Sequence, residues 1–382
     1  MKKIKVMPIF GTRPDAIKMC PLVHALRSCP DISTVVCVTG QHREMLNEVL
    51  SFFEVTPDYN LDIMRESQSI ETITTDILSA LGQVLEEEKP DLVLVHGDTT
   101  TAFSSALSAF YHKITVGHVE AGLRSYNIYS PYPEEMNRKL IAALASLHFA
   151  PTVLCREQLK REGIEHGVYV TGNTEIDAVL KYTVQPKFQF GPSLDKADFS
   201  KRILFVTAHR RENLGEPLEN ICRALLRIAN TYEDVQIIYP VHPNPAVRRT
   251  VFSILNGHER ILLIDPLSPV EAHNMIAHSF LLLTDSGGIQ EDAAALRKPV
   301  IVLRRETERP EGIDAGVSVL GGTEEDIIFN IAKDLLENPA VYKEMANAEN
   351  PYGDGNASAR IVQVILDYFQ IKKESESKGD RQ

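Results

Sequence analysis

The chain has 382 residues, of which 43% are hydrophobic and 24% are charged, as in globular proteins. Its 40 Lys and Arg against 52 Asp and Glu give a formal charge of −12, which argues against nucleic acid and anionic membranes as partners. No stretch approaches the roughly 18 apolar residues of a membrane span, and no signal-peptide pattern opens the chain. We therefore expect a cytoplasmic protein that binds substrate anions through a few local cations and backbone amides.

Short apolar runs alternate with amphipathic segments through the first half of the chain. Strands are predicted at 4–10, 34–39, 91–96 and 115–120, and helices at 16–28, 42–53, 70–88 and 100–112. The run Leu92-Val93-Leu94-Val95 is continuously apolar, which is typical of a parallel strand covered on both faces. The alternation predicts right-handed βαβ crossovers and a doubly wound sheet.

A Pro- and Gly-containing segment at 181–201 interrupts this alternation and predicts a linker region. Beyond it, strands are predicted at 203–207, 236–240, 261–264, 280–284 and 299–303. The sequence thus predicts Rossmann-like domains at 1–180 and 202–357, with a ligand cleft between them at the carboxyl ends of both sheets. A helix at 358–370 could pack back on either domain, and 372–382 is expected to be a frayed tail.

Polar side chains follow the ends of these predicted strands. After the first strand, Arg13 and Lys18 lie near the start of a helix, where the helix dipole attracts anions. A capped turn with solvated cations is the alternative, since the turn lacks a full GxGxxG pattern. We favour phosphate binding.

Three carboxylates are candidates for proton transfer. Asp98 follows a strand, where it could instead cap the next helix. Glu120 ends a buried strand, and Glu134 opens a helix, where acidic residues are ordinary partners of the dipole. Together they are a stronger signal, because burial near one another would raise the pKa of at least one of them.

The second domain repeats the pattern. His209, followed by Arg210, comes after its first strand, and His242 comes after its second. His96 and His118 lie at strand ends and are intermediate candidates. The other histidines show no metal-ligand spacing: His24, His112, His148, His166, His258, His273 and His278. Five scattered cysteines without a CxxC pair are typical of reduced thiols. No metal site is predicted.

A later strand end carries Ser286, Gly287 and Gly288 at a helix start, which predicts a diphosphate-binding turn. A flexible strand-to-helix turn is the alternative. Asp292, farther into that helix, could face a ribose diol. Arg309 lies in a charged loop at 305–312, a pattern that is more often solvated.

Eleven motifs in order resemble the non-hydrolysing UDP-N-acetylglucosamine 2-epimerases of bacteria, from about residue 4 to residue 368. They are GTRPDAIKM, VTGQHREM, LVHGDTTT, VGHVEAGLRS, SPYPEEMNR, TGNTEIDA, TAHRRENLG, YPVHPNP, TDSGGIQED, ERPEG and NPYGDG. Any one motif would be weak evidence, whereas the ordered set is highly specific.

The resemblance implies a GT-B fold, a homodimer, and reversible conversion of UDP-GlcNAc to UDP-ManNAc for cell-surface polysaccharide. It implies anti elimination of UDP, a 2-acetamidoglucal intermediate and re-addition, without a nicotinamide or metal cofactor. The catalytic positions that it implies are Asp98, Glu120, Glu134 and His209. The implied UDP-binding positions are Arg13, Lys18, Ser286, Gly287, Gly288, Asp292 and Arg309.

Several bacterial relatives also bind a second UDP-GlcNAc as an allosteric activator, which is expected to favour closure of the two domains. The positions that match this second site are Gln41, His42, Gln68, Glu134, Arg210 and His242.

This chain departs from the family pattern at several positions. Asp15 and Asp292 each replace a longer glutamate, and Ser67 stands where relatives often carry arginine. Arg304-Arg305-Glu306 replaces an Asp-Thr pair. The alternatives are a GT-B glycosyltransferase using the same sugar nucleotide, a hydrolysing epimerase, and a non-catalytic sugar-nucleotide sensor.

Overall fold

The computed structural model describes residues 3–40, 43–63, 65 and 68–379, and for 43–45 and 371–379 it describes the backbone alone. The contacts divide the chain into two compact units. Unit 1 comprises Met1–Ala178 and Gly353–Gln382, and unit 2 comprises Val179–Tyr352. Residues 179–201 therefore belong to unit 2, where Leu194 is buried.

Unit 1 is built on a parallel sheet. Its strands are β1 (Ile4–Phe10), β2 (Ile32–Thr34), β3 (Cys37–Val38), β4 (Tyr59–Asn60), β5 (Leu92–His96), β6 (Thr115–Val119), β7 (Leu147–Ala150) and β8 (Val168–Val170). Its helices are α1 (Arg13–Ser28), α2 (Arg43–Phe52), α3 (Ile70–Glu88), α4 (Thr100–Tyr111), α5 (Glu134–Leu144), α6 (Val153–Arg161) and α7 (Thr174–Ala178). The strand order is β4-β3-β1-β5-β6-β7-β8, with β2 also paired to β1. The order reverses between β1 and β5, which is the switch point where such sheets bind ligands.

Unit 2 repeats the architecture. Its strands are β9 (Arg202–Thr207), β10 (Val235–Pro240), β11 (Ile261–Ile264), β12 (Leu281–Thr284), β13 (Val300–Val302) and β14 (Ser318–Leu320). Its helices are α8 (Glu216–Thr231), α9 (Pro245–Leu255), α10 (Pro269–His278), α11 (Gly287–Ala295), α12 (Pro310–Asp314), α13 (Glu325–Glu337) and α14 (Pro339–Asn347). The order β11-β10-β9-β12-β13-β14 is that of a Rossmann sheet, with its switch point between β9 and β12.

Helices cover both faces of the second sheet, as the apolar runs predict. Successive residues of a strand point to opposite faces. Leu204 and Val206 of β9 accordingly lie in one buried apolar cluster, and Ile203 and Phe205 lie in another. The predicted class of two Rossmann-like α/β domains is confirmed, and polar chemistry is left to the strand ends.

The last helix, α15 (Ala357–Gly379), belongs to unit 1 and contacts α1 and α7. The Asp177 carboxylate accepts hydrogen bonds from the backbone N–H groups of Ala357 (3.0 Å) and Ser358 (2.7 Å), so a distant side chain caps this helix. Within the described part of the chain, no helix is long and apolar enough to cross a membrane.

The predicted strand at 34–39 is divided into β2 and β3, which pair with β1 at different places. The interruption has a local cause, since the N–H of Val36 donates to the Asp58 carboxylate at 2.7 Å. The strands that the sequence did not predict, β4, β7, β8 and β14, are two to four residues long. Such short runs carry too few residues to show a period.

Candidate functional site

A row of neighbouring acidic and basic side chains lies at the switch point of unit 1. Thr12 and Asp15 form a capping box at the start of α1, with both hydrogen bonds at 3.3 Å. The second oxygen of Asp15 lies 3.4 Å from Nδ1 of His96, at the end of β5. Both side chains are buried, so the cap also orients the imidazole.

Glu120 lies on the other side of the His96 ring from Asp15. Its Oε2 lies 3.8 Å from Nε2 of His96 and forms an ion pair with Lys18. The backbone of Glu120 has φ +63°, a conformation that non-glycine residues seldom adopt and that often marks a functional site. Asp15, His96, Glu120 and Lys18 are called the acid–base cluster below.

Asp98 lies beside this cluster. Thr99, rather than Asp98, caps α4, by accepting a hydrogen bond from the N–H of Ala102 at 3.2 Å. The Asp98 carboxylate instead binds the Arg138 guanidinium through Nε at 2.8 Å and Nη2 at 2.6 Å. The capping alternative is therefore wrong, and Asp98 is a paired carboxylate. A Cβ added to Gly97, the residue before Asp98, would lie 3.7 Å from Oε1 of Glu120, so the backbone here runs close to the cluster.

The two glutamates that open α5 have different environments. Glu135 is fully buried and accepts hydrogen bonds from the N–H groups of Ser125 (2.9 Å) and Tyr126 (3.0 Å), so it anchors a loop. Glu134 is partly exposed, and its Oε2 is buried with no hydrogen-bond partner among the described residues. Of the pair, Glu134 is the one whose carboxylate is available for chemistry.

Of the two predicted phosphate cations of unit 1, Lys18 is paired with Glu120, as described above. Arg13 is half-buried in the first turn of α1, and within the described ranges it has no ion-pair partner. Its charge is therefore uncompensated at a helix N-terminus, where an anion would be attracted.

Two buried histidines of unit 1 are structural. Nε2 of His118 donates to the carbonyl of Gly97 at 2.7 Å, and burial lowers the pKa of His118 to about 3. Burial likewise lowers the pKa of His148 to about 4. Both imidazoles are neutral near pH 7 and cannot supply charge there.

In unit 2, a second group of side chains lies at the switch point between β9 and β12. Oδ2 of the buried Asp285 accepts hydrogen bonds from the N–H groups of His209 and Arg210, both at 2.8 Å, and from the amide of Asn213 at 2.9 Å. The His209 ring stacks on His242 with centroids 5.1 Å apart. Burial lowers the pKa of His209, and the Asp285 charge opposes that shift. His209, His242 and Asp285 are called the histidine cluster below.

Ser286, Gly287 and Gly288 follow Asp285 at the start of α11. Ser286 occupies the N-cap position, and its side chain forms no capping hydrogen bond. A Cβ on Gly288 would meet no heavy atom within 4 Å, so the first turn faces open space. Backbone N–H groups at such a turn can donate hydrogen bonds to an anion.

Two predicted ligand contacts of unit 2 are engaged with protein side chains. Arg309 donates through Nε to the buried Glu291. Asp292 is also buried, and its Oδ2 lies 3.5 Å from Nε2 of His273. Roles for both residues in binding a diphosphate or a ribose remain predictions.

The positions that match an activator site are described in part. Gln68 hydrogen-bonds locally, to the N–H of Arg65 (2.9 Å) and to the carbonyl of Ile63 (2.8 Å). Nη1 of Arg210 lies 3.5 Å from Glu308, and His242 stacks on His209. Gln41, His42 and Ser67 lie outside the described residues.

Sequence reasoning did not assign roles to Asp15, His96, Arg138 or Asp285. Each lies within a few residues of a strand end or helix start that it did examine. The available signal was position, because an ionisable side chain at the end of a buried strand needs a partner. The partners come from elsewhere in the sequence, and only the structure identifies them.

The fold and the two clusters define the class of protein. Two Rossmann-like domains, each with charged side chains at its switch point, are typical of the GT-B-like fold. The glycosyltransferase SnogD from Streptomyces nogalater shares this fold, with a TM-score of 0.57 at 13% identity over 95% of this chain and 99% of that chain.

Closer relatives indicate the family. The family profile described as UDP-N-acetylglucosamine 2-epimerase matches residues 24–366. A Bacillus subtilis (strain 168) protein named UDP-N-acetylglucosamine 2-epimerase is 52% identical over 375 residues, which cover 98% of both chains. The structure of UDP-GlcNAc 2-epimerase from Neisseria meningitidis bound to UDP-GlcNAc superposes with a TM-score of 0.83, at 47% identity over 95% of this chain and 100% of that one.

The chain belongs to the UDP-N-acetylglucosamine 2-epimerase family. The prediction of an epimerase is confirmed at this level.

Proposed function

We propose that this protein is a non-hydrolysing epimerase that interconverts UDP-GlcNAc and UDP-ManNAc through elimination and re-addition of UDP. The observation that carries the proposal is the acid–base cluster. It places Glu120 between an imidazole and an ammonium group at a switch point, with Asp98 next to it. Inversion at C2 requires groups that remove and return a proton, and carboxylates held in this way suit both tasks.

In the first step, a carboxylate accepts the C2 proton, and the electrons of the C2–H bond form a C1=C2 double bond. The C1–O bond breaks, and its electron pair leaves with the β-phosphate oxygen of UDP. The candidates for this base are Asp98, Glu120 and Glu134. Which of the three removes the proton is left open.

In the second step, UDP adds back to C1 of the 2-acetamidoglucal, and a proton is delivered to C2 on the opposite face. No water, oxidant or reductant is consumed. A proton donor and a proton acceptor are therefore both needed. Glu120, paired with Lys18, and Asp98, paired with Arg138, are two carboxylates that can share these tasks.

Departing UDP carries new charge on its diphosphate, which cations and helix N-termini stabilise. We assign this task to Arg13 and Lys18 in unit 1, and to Arg309 and the turn Ser286-Gly287-Gly288 in unit 2. His209 either contacts the diphosphate or transfers a proton to it. Asp292 is proposed to bind the ribose, with a reach one methylene shorter than glutamate.

Further proposals rest on the family resemblance. A second UDP-GlcNAc acts as an activator at Gln41, His42, Gln68, Glu134, Arg210 and His242. Relatives often carry arginine at the position of Ser67, and its loss weakens this activation. The protein is a homodimer, and UDP-ManNAc supplies cell-surface polysaccharide synthesis in the cytoplasm.

Incubation of the purified protein with UDP-GlcNAc in D2O, followed by NMR, tests the reaction. We expect UDP-ManNAc with deuterium at C2 and no added cofactor. Free ManNAc with UDP would replace this proposal with a hydrolysing epimerase. Unchanged, undeuterated substrate would favour a glycosyltransferase or a sensor.

Activation is tested separately, by following the conversion of UDP-ManNAc with and without a trace of UDP-GlcNAc. We expect a lag that the trace removes. A reverse reaction that starts at full rate without UDP-GlcNAc would contradict the activator site and leave the epimerase proposal intact.

A further inference from the structure

We propose that Asp285 is a positioning residue for His209: it holds the loop that carries the imidazole and directs a negative charge at its Nδ1. This inference rests on the proposed function, in which His209 acts on the departing diphosphate. Asp285 lies in the motif TDSGGIQED, where local sequence alone does not distinguish it from the neighbouring turn.

Asp285 anchors the loop that follows β9. One oxygen of Asp285, Oδ2, accepts three hydrogen bonds, from the backbone of His209, the backbone of Arg210 and the side chain of Asn213. Hydrogen bonds to a charged acceptor are stronger than those between neutral groups. The backbone at His209 is therefore fixed by a single carboxylate from another strand end.

The anchor is itself rigid. Asp285 is fully buried, and its N–H donates to the carbonyl of Thr207 at 3.1 Å, which extends the β9–β12 ladder by one residue. The hydroxyl groups of Thr207 and Thr284 lie 2.6 Å apart directly beneath it. Ser286 comes next in the chain, so one short segment connects the imidazole loop to the diphosphate-binding turn.

The other oxygen of Asp285 faces the His209 ring. Oδ1 is buried, has no hydrogen-bond partner within the described residues, and lies 3.7 Å from Nδ1 of His209. That separation is longer than a hydrogen bond, so the carboxylate acts on the imidazole through its charge. A buried carboxylate oxygen is costly unless a partner compensates it, and the His209 ring is the group it faces.

The groups around His209 shift the pKa of its imidazole in opposite directions. His242 stacked on the ring and the neighbouring Arg210 both favour the neutral imidazole, as does burial, whereas Asp285 favours the protonated form. Removal of the Asp285 charge should therefore lower the pKa of His209 further. Removal of the His242 imidazole should raise it.

The test is a titration of His209 by NMR in protein labelled at histidine, with the resonance assigned from its loss in His209→Gln. In Asp285→Asn, an amide oxygen can still accept the loop N–H groups, while the charge is gone. We expect the His209 midpoint to move to lower pH, and to move to higher pH in His242→Asn. Asp265→Asn, which removes an exposed carboxylate of the same unit, is the matched control and should not move it.

Asp285→Asn should affect turnover more than substrate binding. We expect Asp285→Asn to lower kcat by on the order of 10- to 100-fold, a part of the roughly 10² to 10⁴ that a positioned acid–base group contributes. The change in KM should be smaller. The acidic limb of the pH–rate profile should move in the same direction as the NMR midpoint, which a purely structural role would not produce.

If Asp285→Asn fails to fold, the tautomer of His209 in the wild-type protein still tests the proposal. A carboxylate facing Nδ1 favours the tautomer with the proton on Nδ1, and ¹⁵N shifts of neutral His209 report it. A proton on Nε2, or a midpoint unchanged in a folded Asp285→Asn, would overturn the inference. The titration needs no turnover, so its result is independent of the deuterium experiment. A negative deuterium experiment would contradict the proposed function, whereas a negative titration would contradict only the role of Asp285.

Discussion

The two units hold their polar side chains at the same place in the fold but by different means. In unit 1, carboxylates pair with cations on other elements, as Glu120 does with Lys18 and Asp98 with Arg138. In unit 2, the carboxylate of Asp285 accepts backbone N–H groups and so holds the loop that carries His209. Unit 1 therefore pairs these carboxylates with cations of other elements, whereas unit 2 fixes the position of His209 through the backbone.

Because of this difference, substitutions in the two units should have different structural effects. In unit 1, a single substitution can remove the partner of a carboxylate and leave the chain path unchanged. In unit 2, a change at the anchor affects the loop and the imidazole together. Asp285→Asn, described above, tests the anchor of unit 2. Four further variants or conditions test unit 1, in order from the largest expected effect to the smallest.

Glu120→Gln should abolish most proton transfer in unit 1. The amide keeps the shape of the side chain but can neither accept the C2 proton nor balance Lys18. We expect C2 deuterium incorporation to fall by roughly 10²- to 10⁴-fold. Glu157→Gln, which removes an exposed carboxylate of α6, is the control. A loss below about tenfold would exclude Glu120 from the acid–base role.

Arg138→Met should destabilise the fold. Arg138 lies 2.6 Å from Asp98 and 3.2 Å from the fully buried Glu135, and the substitution leaves both carboxylates without this cation. Removing one partner of a buried pair costs about 3 to 5 kcal/mol, which corresponds to an apparent Tm lower by on the order of 10 °C. Thermal unfolding followed by circular dichroism measures it.

The exposed pair of Arg156 and Glu157 provides the comparison. Arg156→Met should change the free energy of unfolding by less than about 1 kcal/mol, since water and salt screen such pairs. Equal losses in the two arginine variants would show that burial does not distinguish them.

The buried histidines of unit 1 should make stability depend on pH. Burial lowers the pKa of His118 to about 3 and that of His148 to about 4, so between these values and about 6.5 the unfolded chain binds protons that the folded chain does not. Stability should therefore fall as the pH falls below about 6.5, by about 1.4 kcal/mol per pH unit for each histidine. Urea unfolding at pH 6 and pH 5 measures the slope.

His118→Gln isolates one of these contributions. The glutamine amide can still donate to the carbonyl of Gly97 but cannot be protonated, so the slope should decrease by about 1.4 kcal/mol per pH unit. An unchanged slope would mean that the folded protein accepts the proton at His118 as readily as the unfolded chain does.

Asp15→Glu should have the smallest effect. It introduces the residue usual in the family, and a glutamate at the third position of a helix also completes a capping box with Thr12. Because Asp15 is buried and gains one methylene, we expect the free energy of unfolding to change by up to about 1 kcal/mol. We expect deuterium incorporation to change by less than about tenfold. A larger loss of rate would show that the Asp15–His96 distance is matched to the shorter side chain.

The class of fold was predictable because its signal is local and repeated. Continuous apolar strands such as β5 alternate with amphipathic helices in both halves of the chain, and this pattern leaves few alternatives to doubly wound sheets. The turns at 11–15 and 284–288 were likewise recognisable, since glycine, hydroxyl and charged side chains follow an apolar run there.

The sequence by itself thus determined the two Rossmann-like domains, the positions of the polar strand ends and the family resemblance. Tertiary structure alone decided the partners: Lys18 with Glu120, Arg138 with Asp98, Asp285 with the loop of His209, and Asp177 with the start of α15. The physical reason is distance along the chain. Periodicity and capping act over a few residues. An ion pair between residues 18 and 120 exists only once β1, β5 and β6 have paired and brought their carboxyl ends to one edge.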